Sequence, residues 1–116
     1  MTRVISMRYG EQGERSAGGG VSYYVLGSAE ANGTVNLNDS LSKYQFIQIN
    51  LYAGSNNINS MIFPMGYFKN PTHTIYAQMD TNNTYRRMQI AYASDTTITV
   101  SNRNGLNAEF VGIKMG

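Results

Sequence analysis

The chain reads as all-β: an antiparallel β-sandwich or jelly-roll-like domain of about eight short strands, preceded by an extended N-terminal arm. Three observations predict this. Apolar residues alternate with polar ones at a period of two, as a half-buried strand requires. Clusters of Asn, Gly, Ser and Asp interrupt the alternation at intervals of roughly 8–12 residues, the spacing of sandwich strands and their turns. The 116 residues suffice for one domain with its own core.

The elements follow in order. Residues 1–20 form the arm. It carries Arg3, Arg8 and Arg15, the apolar Val4, Ile5 and Met7, and the tract Gly18-Gly19-Gly20. Its Gly-rich and polar second half cannot bury enough apolar surface to order itself. The arm is therefore either a frayed terminus or a segment ordered against a neighbouring subunit; Val4, Ile5 and Met7 favour the second. The body, residues 21–116, starts with a strand over Val21–Leu26, ended by Gly27. A short strand over Gly33–Leu37 comes next. Asn38, Asp39 and Ser40 are all suitable caps for one helical turn that plugs Leu41 into the core.

The clearest strand is Tyr44–Tyr52. Ile47, Ile49 and Leu51 occupy one face, and Tyr44, Phe46, Gln48, Asn50 and Tyr52 the other. Residues 54–57 turn. A strand over Ile58–Phe63 stops at Pro64, which cannot donate to a ladder. Met65–Pro71 is a loop or one helical turn. A strand over His73–Met79 sets His73, Ile75, Ala77 and Met79 on one face and Thr74, Tyr76 and Gln78 on the other. After a hairpin-like turn at Asp80–Asn83, the strand Tyr85–Ala93 points Met88, Ile90 and Tyr92 inward. Thr96–Val100 faces Ile98 and Val100 in. Asn102-Arg103-Asn104-Gly105 is a strong turn. The last strand, Asn107–Met115, sets Val111, Ile113 and Met115 against Phe110 and Lys114. The expected core is Val25, Leu37, Leu41, Ile47, Ile49, Leu51, Ile62, Ile75, Met79, Met88, Ile90, Ile98, Val100, Val111 and Ile113.

Composition narrows the function classes. There are no cysteines, which excludes disulfides, thiolate metal sites and Cys nucleophiles. Charged residues are 14% of the chain, well below the usual quarter, so Asn, Thr, Ser, Gln and nine Tyr supply the polar surface. A net charge of +2 with one basic pair, Arg86-Arg87, is not a nucleic-acid footprint. No run is long enough to span a bilayer. The N-terminus lacks the apolar region of a secretory signal, so synthesis and folding in a cytoplasm are expected.

The chemistry on offer is sparse. His73 is the single histidine, and its nearest acid in sequence is Asp80. A loop-edge histidine at the start of a strand explains it better than a Ser-His-Asp arrangement. Glu30, Asp39, Asp80, Asp95 and Glu109 pair for glycoside cleavage only across loops. Capping, turn and surface roles account for each of them more simply. The acids are too scattered for a calcium loop, and Gly18-Gly19-Gly20 precedes neither a helix nor a Lys-Ser/Thr pair, so it cradles no phosphate. No cofactor, metal or catalytic residue is expected. The surface aromatics Tyr44, Phe46, Tyr52, Tyr67, Phe68 and Tyr76, together with Tyr85, are too many for one small core. They suit an interface, or a ligand-facing patch.

The ordered series Gly33–Tyr44, Phe46–Tyr52, Ser60–Pro64, Thr96–Ser101 and Ile113–Gly116 resembles the small β-sandwich domains of tailed-phage virion proteins: capsid decoration proteins, head fibres and tail-fibre tips. It covers about two-thirds of the chain. The resemblance implies a non-enzymatic, oligomeric protein made in the host cytoplasm and found in the virion. It carries no functional residue over. The lead lacks heptads and does not look like fibre shaft. That favours a small complete gene product seated on the capsid over a piece of a longer fibre. The expectation is a capsid-decorating or cementing protein, a homo-dimer or homo-trimer whose partner is the major capsid protein or another virion protein. Its contacts would come from Arg3, Val4, Ile5, Met7, Arg8 and Arg15 in the arm and from the six aromatics. The alternative is a fibre tip that recognises host-surface glycan. Neither nucleic acid nor membrane is expected as a partner.

Overall fold

A computed structural model describes residues 20–53, 57–70, 74–81 and 84–116. Its described strands are β1 (Val21–Ala29), β2 (Gly33–Asn36), β3 (Phe46–Ala53), β4 (Asn57–Pro64), β5 (Ile75–Thr81), β6 (Thr84–Ser94), β7 (Thr97–Ser101) and β8 (Asn107–Met115). A 3-10 turn spans Leu41–Lys43 and a one-turn helix, α1, spans Met65–Phe68. The strands form two four-stranded antiparallel sheets. Sheet I has the order β1-β8-β3-β4, and sheet II the order β2-β7-β6-β5. The chain is an all-β sandwich, as its alternation predicts.

The core lies between the sheets. Sheet I contributes Leu26, Ala29, Ile47, Ile49, Leu51, Ala108 and Phe110. Sheet II contributes Val35, Ala77, Met79, Met88, Ile90, Ile98 and Val100, while Leu41, Met65, Phe68 and Leu106 close the ends from the connections. The 3-10 turn is capped by Ser40, whose side chain accepts from Ser42 N. Its role is to drive Leu41 into the core, where Leu41 N is held by Asp95 O at 2.7 Å. Between β7 and β8, Asn102 and Asn104 take φ of 51° and 54° and Gly105 takes 80°. Asn and Gly tolerate that left-handed region best.

Several expectations need correction. The first strand does not end at Gly27. It continues to Ala29 through a bulge, where the register jumps from Val25↔Val111 to Gly27↔Phe110. The extra residue turns Leu26 inward and leaves Val25 53% exposed. Ile62, also expected inside, is 55% exposed. It lies opposite Gln48, and Gln48 faces away from the core. Leu37 and Ile75 are only partly buried at the core margin. In β8 the inward residues are Ala108 and Phe110; Val111 and Ile113, although only 5% exposed, lie outside the core cluster. Asp80 and Thr81 extend β5 rather than turning. His73 lies outside the described residues.

Candidate functional site

The two sheets turn unlike faces outward. On sheet I the register aligns outward side chains in rows across the strands. Val21 pairs with Met115. The next row is Tyr23, Ile113, Phe46 and Pro64; the one after is Val25, Val111, Gln48 and Ile62. Gln48 is the one polar residue in these three rows. The fourth row, Ser28, Glu109, Asn50 and Ser60, is polar. There Asn50 joins its neighbours: its Nδ2 donates to Glu109 at 3.0 Å, and its Oδ1 accepts from Ser60 Oγ at 2.6 Å and Gln48 Nε2 at 2.8 Å. The last row holds Asn107, Tyr52 and Ile58.

Sheet II faces outward with Thr34, Asn36, Thr97, Thr99, Ser101, Gln89, Arg87, Tyr76, Gln78 and Tyr85, all exposed except the half-buried Thr97, Ser101 and Gln89. These groups are tied together. Gln89 Nε2 donates to Tyr76 Oη at 3.2 Å, and Gln89 Oε1 accepts from Ser101 Oγ at 3.0 Å and Asn102 Nδ2 at 2.9 Å. The Tyr85 hydroxyl donates to Gln78 Oε1. The Arg87 guanidinium lies over the Tyr76 ring, 4.8 Å from its centroid. This is a solvated polar sheet surface, with Tyr76 and Tyr85 half-exposed in it.

The expected contact aromatics do not gather in one place. Phe46 and Tyr52 lie half-buried on the outer face of sheet I, whereas Tyr76 lies on that of sheet II. Tyr67 is exposed on α1, its ring stacked on Phe63 with centroids 6.3 Å apart. Phe68 is buried and meets Tyr92 edge-on, so it is a core residue. Tyr44 is also a core residue, 6% exposed. It precedes β3, and the bend at Gln45 turns its ring under sheet I beside Gly112 and Tyr24. Arg3, Val4, Ile5, Met7, Arg8 and Arg15 lie outside the described residues. Tyr23, Val25, Ile62, Val111, Ile113 and Met115 lie on the outer face of sheet I, and the sequence reading named none of them as contact residues. The available signal was β8, which is apolar at both parities from Phe110 to Ile113.

Two acid–phenol–amine clusters brace the connections. Asp39 accepts from Lys43 Nζ at 3.0 Å, Tyr44 Oη at 2.9 Å and Ser40 N at 2.8 Å. Those partners, Lys43 first, hold its carboxyl down at about 2. Burial, and then the Asp39 carboxylate, push the Tyr44 phenol well above its ordinary value. Asp95 likewise accepts from Lys69 Nζ at 2.9 Å and Tyr92 Oη at 2.7 Å, and its carboxyl is lowered, by Lys69 first. Glu109 and Glu30 accept from Asn50 and Tyr52. Each of these carboxylates therefore has a structural partner. Among the described residues no cluster of three acidic or histidine side chains could hold a metal, and no helix is long and apolar enough to cross a membrane.

No family model matches the chain, and comparison with curated proteins and with solved structures finds no match.

Proposed function

We propose that this chain is a non-enzymatic structural protein of a tailed-phage virion that decorates the assembled head and stabilises it by binding across neighbouring subunits. The observation that carries the reading is the outer face of sheet I, with three consecutive apolar rows. A contiguous patch of this kind on a small domain marks a protein-contact surface. Its mechanism is mechanical: a protein that binds only the closed shell adds its binding free energy to the shell's stability. The few charges of the chain and its amide-rich surface suit dense packing beside other protein. The test is quantitative mass spectrometry of purified particles. A copy number comparable with that of the major capsid protein supports decoration, a handful of copies makes the chain a tail part, and absence from particles overturns the reading.

A second reading rests on sheet II. Tyr76 and Tyr85 stand half-exposed beside Gln78, Arg87 and Gln89, so that face offers flat rings for sugar stacking and planar groups for hydroxyls. It makes the chain a fibre tip that recognises host-surface glycan. Binding to host cells that is lost in Tyr76→Ala and competed by cell-wall polysaccharide would favour it over decoration.

A further inference from the structure

We infer that the outer face of sheet I is occupied by a second copy of this chain, packed sheet to sheet across a two-fold axis. The inference rests on the proposed function only in taking this face as an interface.

The molecule supplies its own comparison. Sheet II shows what this protein places against water: Thr, Ser, Asn, Gln, Tyr and Arg in alternation with the core. Sheet I does not follow that rule. In β8, one of its two inner strands, Phe110 faces the core while Val111 and Ile113 face away from it, so the stretch Phe110–Ile113 is apolar on both sides. Strands of that composition are found where both faces of a sheet are covered. Val111 and Ile113 are themselves only 5% exposed in the single chain, so the open apolar surface of the face is the flanking Val25, Ile62 and Met115, each about half exposed.

Three features choose a copy of the same chain as occupant. The first is charge. Among the described residues Glu109 is the one charged side chain in the outward rows of sheet I, so the face neither selects an oppositely charged partner nor repels itself. The second is layout. A two-fold axis through the apolar rows sets those rows against each other and sends the polar row to the rim. The two Glu109 carboxylates then sit at opposite ends. An apolar centre with a polar rim is the usual anatomy of an interface. The third is size. Five rows about 6.7 Å apart across four strands about 4.8 Å apart project to about 600 Å². Side-chain relief brings that close to the roughly 800 Å² per partner of a standard interface. Two twisted sheets also pack face to face with no change in backbone.

The experiment is sedimentation analysis of the full-length chain at micromolar concentration. The expected mass is twice the 12.8 kDa of one chain. Val25→Lys and Ile62→Lys, on opposite edge strands at half-exposed positions, should each raise the dissociation constant by about 100-fold or more, because each places a charge in the pairing face. Thr99→Lys, on the outer face of sheet II, should leave the dimer intact. Circular dichroism confirms that each variant keeps its strands. A monomeric wild type overturns the inference, as does a trimer, since an isologous face closes at two. A dimer that ignores both sheet I lysines yet responds to Thr99→Lys also overturns it. A monomer that is still abundant in particles removes the pairing and spares the proposed function; a dimer absent from particles does the reverse.

Discussion

Gly112 shows how much one hydrogen can decide. A Cβ built there would lie 2.7 Å from the ring of Tyr44, itself buried under sheet I. Gly112→Ala must displace that ring, and overpacking of this kind costs about 1–3 kcal/mol. Urea unfolding should record the loss as a lower midpoint at unchanged slope. The Tyr44 hydroxyl explains why the ring cannot move cheaply, because it donates to Asp39. The pair also sets a pH window. Asp39 has a folded value near 2, below that of an unfolded carboxylate, so its contribution is present above about pH 4 and is lost as pH falls toward 2. Tyr44 is raised, so its contribution is present below about pH 10 and is lost as pH climbs past the unfolded phenol value. Stability measured against pH should fall on both sides. Asp39→Asn should shrink the acid side, which persists in part because the Asp95 carboxyl is lowered too, and Tyr44→Phe should shrink the alkaline side. The alkaline side should persist in part, because Tyr52 and Tyr92 are raised too. Nothing in local sequence reveals this. Alternation places Tyr44 on the face of Phe46, and only the bend at Gln45 undoes that parity.

At the scale of elements, β3 was legible because its two faces differ in chemistry. Ile47, Ile49 and Leu51 can only be the core side, and they are fully buried. Ile49→Ala should therefore cost about 2–5 kcal/mol, and Gln48→Ala, on the opposite face, much less, as thermal or urea melts will show. Comparable losses would mean the register is slipped by one residue. The last strand defeats the same logic. Phe110-Val111-Gly112-Ile113 is apolar at both parities, so within it a period of two cannot choose between Phe110 and its neighbours, and Glu109 alone hints at the outer side. β1 fails for another reason: its bulge adds a residue, and no residue type in Val25-Leu26-Gly27 announces that Leu26 replaces Val25 on the inner side. The short helical turns were easier. Asn38, Asp39 and Ser40 all suited the first as caps, and Ser40 is the one that fills the position; the second was open between a loop and one turn, and the turn forms over Met65–Phe68.

For the molecule as a whole, strand number, turn spacing and the absence of long helices were all present in the sequence. The distribution of strands between two sheets was not. The β3–β4, β5–β6 and β6–β7 pairs are local, but β1–β8, β3–β8 and β2–β7 join distant segments. Those partners are chosen by the packing of the completed core rather than by any local pattern. The unlike outer faces share that origin, since a face becomes inner or outer only when the sheets meet.

The pairing of β1 with β8 also brings Gly116 N to within 2.8 Å of Gly20 O. The body is therefore close to a closed loop of chain whose opening can be moved. A circular permutant that joins residue 116 to residue 20 through a short glycine linker and begins at Asn57, between the hairpin partners β3 and β4, keeps every sheet neighbour. It should fold to the same strand content, with a melting temperature within several degrees of the unpermuted body. A permutant opened inside β8, the strand shared by β1 and β3, should not fold, because that cut divides an inner strand that holds β1 to the rest of sheet I.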